Sequence, residues 1–238
     1  MQKIEFEVCL TPELLHLHNL EHKSVVVVDI LRATSCMVTA MAHGVAGIVP
    51  VQSLDECREY QNKGYICAAE RDGKKIEGFE LDNSPFSYMD SSLRGKTIAV
   101  TTTNGTQAIL KSKKAKNIFI GSFLNLKAIS QQLLEISNPI LVVCSGWKGN
   151  FNIEDTLFAG ALSYDMSQYI DLQQDAGIIA EQMYKLHSAN LQTLVQQSSH
   201  CKRLSKLNIV KDIEYCLSFD RYQVVPEYKE SIIKLSHV

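Results

Sequence analysis

No C-x-x-C pair occurs in this sequence, although it carries seven cysteines, at positions 9, 36, 57, 67, 144, 201 and 216. An odd count without paired spacing argues against a disulfide framework or a structural zinc site, and cysteines mostly embedded in apolar runs are expected as reduced core residues. No apolar run approaches the ~20 residues of a membrane helix. The opening MQKIEFEVCL places Lys3, Glu5 and Glu7 where a signal peptide needs an apolar stretch. The expectation is a soluble, cytoplasmic protein. A formal net charge of -2 supplies no basic stripe, which argues against nucleic acid and anionic membranes as partners. Repeats, low-complexity tracts and clear linkers are also missing, so the 238 residues, 45% of them apolar, read as one domain over 1–238.

Several phosphate-handling signatures are absent as well. There is no G-x-x-x-x-G-K-[ST], and Gly146-Trp-Lys-Gly149 is too short to imitate it. No cysteine has an arginine six positions later, which removes the cysteine-nucleophile phosphatase pattern. The first core strand ends Asp29-Ile-Leu31, without the second aspartate that haloacid-dehalogenase-type phosphatases carry two positions on. His16, His18 and His22 lie before that strand at an expected helix end and make a poor metal cluster.

What is present is an alternation of apolar runs and helical patterns. Ser24–Asp29 is a continuous β-branched run, as expected of a strand covered on both faces, and Thr34 to His43 reads as a helix stopped by Gly44. Gly47–Val51 predicts a strand, and Ser53-Leu-Asp-Glu56 opens a helix that Gly64 ends. Tyr65–Ala69, Thr97–Thr101, Asn117–Ile120 and Ile140–Cys144 complete the strand set, with helices over about 105–114 and 126–136. Residues 70–95 read as a long functional loop, and the portion from about 152 to 238 as mainly helical, with a late strand at Val224-Val-Pro226. The pattern predicts an α/β layered fold with a largely parallel or mixed central sheet flanked by helices.

In such sheets ligands bind beyond the carboxyl ends of the strands. The residues there are Asp29 and Arg32, Glu70 and Arg71, the turn Thr102, Thr103, Asn104, Gly105 and Thr106, then Gly121 and Ser122, and Ser145, Gly146 and Lys148. Threonine, asparagine and glycine at a strand-to-helix turn can aim N–H groups and hydroxyls at an oxyanion. The same residues also suit a helix cap. Asp29 and Glu70, with Glu154 and Asp155 near a helix start, offer the hard oxygen ligands that Mg²⁺ takes beside a phosphate, although acids at a helix start also complement its dipole.

Asp29-Ile-Leu-Arg-Ala-Thr-Ser35, Glu70-Arg71, Gly78-Phe79 with Asp82-Asn-Ser-Pro85, Thr101-Thr-Thr-Asn-Gly-Thr106, Gly121-Ser-Phe123 with Asn125, and Glu154-Asp155 with Ala159-Gly160 follow one another in a fixed order. In that order the chain resembles the 2-phosphosulfolactate phosphatase family over roughly residues 25–165. It departs at Ala69, where the family usually has glycine, and at Ser145-Gly146, where Ala-Gly is more usual. The resemblance implies a Mg²⁺-dependent hydrolase of 2-phospho-3-sulfolactate, yielding 3-sulfolactate on a route to coenzyme M. On that reading Asp29, Arg32, Glu70 and Arg71 are catalytic, and Asp29, Glu70, Glu154 and Asp155 supply the metal ligands. Thr102 to Thr106, Gly121, Ser122 and Asn125 bind a small anionic phosphorylated substrate. A homo-oligomer is compatible with it. A phosphatase for another small phosphorylated acid and a non-catalytic anion-binding module are the alternatives.

Overall fold

The strand Ser24–Val28 is five β-branched or small residues with every side chain buried, and burying a valine contributes roughly 1.5–3 kcal/mol. It is an interior strand of the sheet with both its faces covered. The structure, a computed structural model, describes residues 3–71, 73–207 and 209–236. In chain order the elements begin β1 (Ile4–Cys9), β2 (Ser24–Val28), α1 (Ala33–Ala42), β3 (Gly47–Pro50), α2 (Leu54–Asn62), β4 (Ile66–Arg71) and β5 (Lys74–Lys75). They continue β6 (Thr97–Thr101), α3 (Gly105–Lys111), β7 (Asn117–Gly121), α4 (Leu126–Ile136), β8 (Ile140–Cys144) and α5 (Ile153–Asp165). The last are β9 (Ile170–Leu172), α6 (Asp175–His187), α7 (Leu191–Val195), α8 (Ser199–Ser205), α9 (Val210–Cys216), β10 (Pro226–Lys229) and β11 (Ile232–Leu235).

Among the described residues the sheet has eleven strands in the order β5-β4-β6-β3-β11-β10-β7-β2-β8-β1-β9. Two parallel blocks, β4-β6-β3 and β7-β2-β8-β1-β9, are joined by the antiparallel hairpin β10-β11. The joint is narrow: Glu227 pairs with Phe119 on one side and Ile233 with Ile48 on the other. The α/β class with a mixed sheet is as the sequence predicts, and α4 covers 126–136 as expected. The late strand differs. It starts at Pro226 and returns as β11, so the tail supplies the centre of the sheet as well as helices.

Local chemistry explains most boundaries. The Ser53 hydroxyl accepts from Glu56 N at 3.0 Å, and the chain leaves α1 and α2 through Gly44 and Gly64 in the left-handed region. All seven cysteines are buried and unpaired, and burial pushes the Cys36 and Cys144 thiols well above their usual value. Among the described residues no helix is long and apolar enough to cross a membrane.

Candidate active site

Strands β2 and β8 of one block, and β4 and β6 of the block that runs antiparallel to it across the β10-β11 hairpin, bring Asp29, Trp147, Glu70 and Asn104 to one cavity. Arg32 from the start of α1 and Asn83 from the long loop join them, and α8 contributes His200 and Leu204. The space among them, partly open to solvent, is about 10 Å³. That is room for about one water, which needs roughly 10–15 Å³.

Asp29 is only 7% exposed. Burial pushes its carboxyl up to about 6; the His200 charge and the Ala33 N–H, 3.3 Å from Oδ1, oppose the rise, and Glu70 and Glu154 add to it. Gly105 is required beside it, because a Cβ there would stand 2.8 Å from Asp29 Oδ2 and 2.7 Å from the Ala33 Cβ. Glu70 accepts from Gly73 N, and Arg32 donates to the buried carboxylate of Asp212 on α9 and, at 3.3 Å, to Gly73 O. Fully buried Glu154 holds His200 Nδ1 at 2.8 Å through Oε1, while Oε2 has no partner among the described residues. The imidazole lies 5.2 Å from the Trp147 ring, centroid to centroid, and the Arg203 guanidinium lies 4.2 Å from that indole.

The predicted residues divide. Asp29, Arg32, Glu70 and Asn104 line the cavity. Arg71 does not, because successive strand residues face opposite sides. Its guanidinium donates to Thr101 Oγ1 at 3.1 Å and to Glu70 O at 2.6 Å. Asp155 is fully buried and spent on the scaffold: Oδ1 accepts from Ile30 N at 2.8 Å, and Oδ2 from Asn152 Nδ2 at 2.9 Å and Gly146 N at 3.1 Å. Burial and the charges of Asp29 and Glu154 raise its carboxyl well above the usual range. In the Thr102–Thr106 turn, Thr102 and Thr106 bond each other, Thr106 N to Thr102 Oγ1 at 3.2 Å and Thr102 N to Thr106 Oγ1 at 3.3 Å. Thr103 Oγ1 has no partner among the described residues.

Gly121, Ser122 and Asn125 lie outside the cavity. Gly121 is small because a Cβ would sit 2.7 Å from Val26 Cγ1. Ser122 N donates to Asn125 Oδ1 at 2.9 Å, and Asn125 Nδ2 donates to Ile120 O at 3.2 Å and Val224 O at 3.0 Å. Asn125→Ala is therefore expected to destabilise the protein by about 1–3 kcal/mol in urea unfolding, since buried groups lose their partners, with kcat/KM unchanged. Lost turnover in a folded Asn125→Ala protein would return this residue to the site.

The sequence reading missed His200, Asp212 and Trp147. Trp147 carried a signal, as the sole tryptophan beside a polar strand end; Asn83 stood in the Asp82-to-Pro85 motif. His200 and Asp212 lie in helical sequence with no local mark of function.

Among the described residues no three His, Cys, Asp or Glu side chains form a ready cation cage. Mg²⁺ asks for less, commonly one or two carboxylates with substrate oxygens completing the shell. Asp29 and Glu70 on one cavity wall fit that demand, and Asp155, with both oxygens engaged, does not.

Residues 9–231 match the model of the 2-phosphosulpholactate phosphatase family. A relative from Thermotoga maritima is 40% identical over 206 residues, 87% of this chain and 89% of its own. One from Clostridium acetobutylicum is 38% identical over 215 residues, covering 87% and 90% of the two chains. One from Caldanaerobacter subterraneus subsp. tengcongensis is 35% identical over 223 residues, 92% of each. All three carry the name "Probable 2-phosphosulfolactate phosphatase".

Proposed function

This chain belongs to the 2-phosphosulfolactate phosphatase family, and on that premise we propose that it is a phosphoric monoester hydrolase converting 2-phospho-3-sulfolactate and water to 3-sulfolactate and phosphate, a step toward coenzyme M. The observation that carries the reading is the meeting of Asp29, Glu70 and Arg32 with the Glu154–His200 pair at the strand ends. A binding module needs donors and cations for an anion; three buried acids in one place suit group transfer instead.

The roles follow from position. Asp29 and Glu70 would hold Mg²⁺, which when bound neutralises phosphoryl oxygens as charge develops on them. Asp29, fixed at the end of a rigid strand, is the group placed to meet phosphorus or to orient the attacking water. Arg32, aligned by Asp212, points its remaining N–H groups at substrate oxygens. His200 has Nδ1 fixed by Glu154, which leaves Nε2 to give a proton to the ester oxygen as the P–O bond breaks. The proton neutralises the departing alkoxide, and a water oxygen ends on phosphorus.

Phosphate release from 2-phospho-3-sulfolactate is expected to stop in EDTA and return on adding Mg²⁺. Full turnover in EDTA would remove the metal from this account. Release from phospholactate but not from its sulfonated analogue would move the substrate to another small phosphorylated acid.

A further inference from the structure

Asn104 is followed by Gly105, and the chain has no other Asn-Gly pair. An asparagine in that setting carries its own reaction. The backbone nitrogen of the next residue can attack the side-chain amide carbon, and glycine, with no side chain, leaves that approach unobstructed. The fold enforces the pair, because a Cβ at 105 would stand 2.8 Å from Asp29 Oδ2.

Few bonds hold the reacting groups. Gly105 N donates to no acceptor among the described residues. Asn104 is the N-cap of α3, where an asparagine side chain ordinarily accepts from a backbone N–H of the first turn, yet it makes no such bond. Its Oδ1 accepts instead from Lys148 N at 3.2 Å, which draws electrons from the amide carbon. Nδ2, the group that must leave, donates to nothing among the described residues. The backbone at Asn104, with φ -123° and ψ -50°, is neither extended nor helical. One restraint opposes ring closure: Ala108 N holds Asn104 O at 3.0 Å. That bond belongs to the first turn of α3, and helix ends open more readily than their middles.

We propose that Asn104-Gly105 is a spontaneous modification site in the wall of the active site, where deamidation of the asparagine inactivates the enzyme. Gly105 N forms a bond to Asn104 Cγ, the Cγ–Nδ2 bond breaks, and ammonia departs with the proton that Gly105 N gives up. Water then opens the succinimide at one carbonyl or the other, leaving aspartate or isoaspartate at 104. Either product adds a carboxylate to a cavity wall that already carries Asp29 and Glu70, and it repels a phosphoryl group. Isoaspartate also lengthens the main chain by a methylene where Gly105 packs on Asp29. The modification stands on these residues alone, and its effect on turnover rests on the phosphatase reading.

The full-length protein is kept warm at mildly alkaline pH, and samples taken over days are digested and mapped by mass spectrometry, with an isoaspartyl methyltransferase assay for the rearranged product. Asn104 is expected to convert ahead of every other asparagine, including Asn83, which precedes a serine. Isoaspartate should be the larger product. Phosphate release should fall in proportion to the converted fraction. Asn104→Asp, made directly, should lower kcat/KM at least roughly tenfold, since a donor to a charged group is replaced by a like charge. Asn104 still intact after other asparagines have converted overturns the proposal, and so does full turnover in a sample whose Asn104 has converted. Conversion at Asn104 in a protein that releases no phosphate even when fresh would keep the modification site and remove the phosphatase reading. Steady turnover with Asn104 unconverted would do the reverse.

Discussion

Asp29→Asn is expected to lower phosphate release by at least roughly two orders of magnitude in a protein that remains folded. The amide keeps the carboxylate's shape and can still accept from Ala33 N, so the scaffold loses little. Stability in urea should hold or rise, because burial already disfavours this charge and raises the carboxyl to about 6. On the proposed roles the chemistry loses a charge that would either attack phosphorus or hold Mg²⁺. Quenching wild type during turnover with ³²P-labelled substrate separates the two roles. Acid-stable, hydroxylamine-labile label on Asp29 identifies the carboxylate as the attacking group, and absence of label favours water. A folded Asp29→Asn protein turning over at the wild-type rate would remove the active site from this strand end.

The site was legible where local sequence and topology gave the same answer. A buried β-branched strand leading into Asp29, and a second strand carrying Glu70 near its end, each marked an acid at a strand terminus, while their meeting comes from the way the two oppositely running blocks fold together. Arg71 lies off this cavity because one residue along a strand is enough to turn a side chain to the other face. The Thr102–Thr106 turn held both readings in one segment. Thr102 and Thr106 close the turn, and Thr103 Oγ1 has no partner among the described residues.

The tail was the least legible part. Its contributions are long-range: Asp212 reaches Arg32 across 180 positions, and His200 reaches Glu154 across 46. The β10-β11 hairpin reads as two short apolar stretches around polar residues, and only the gap between β3 and β7 makes them strands. Glu154 and Asp155 are adjacent on one helix yet do different things. A helix turns about 100° per residue, so Asp155 meets the backbone of Ile30 and Gly146 while Glu154 meets α8.

His200→Gln should cost phosphosulfolactate hydrolysis roughly 10²–10⁴-fold, the usual worth of a positioned general acid. Glutamine can still fill the space beside Trp147 and bond Glu154, so the fold should persist. Reduced turnover alone would not distinguish proton donation from positioning, but the leaving group does. The alkoxide of a 2-hydroxy acid is a strong base and needs a proton as it departs, whereas 4-nitrophenolate leaves readily without one. The His200→Gln defect should therefore shrink by at least about tenfold when 4-nitrophenyl phosphate replaces the alkyl ester, because the step that His200 assists is no longer demanding. Glu154→Gln, which keeps an acceptor for Nδ1 but weakens its hold on the ring, should show the same leaving-group pattern with a smaller loss. A His200→Gln defect equal for both esters would make His200 a positioning residue and leave the proton to another donor.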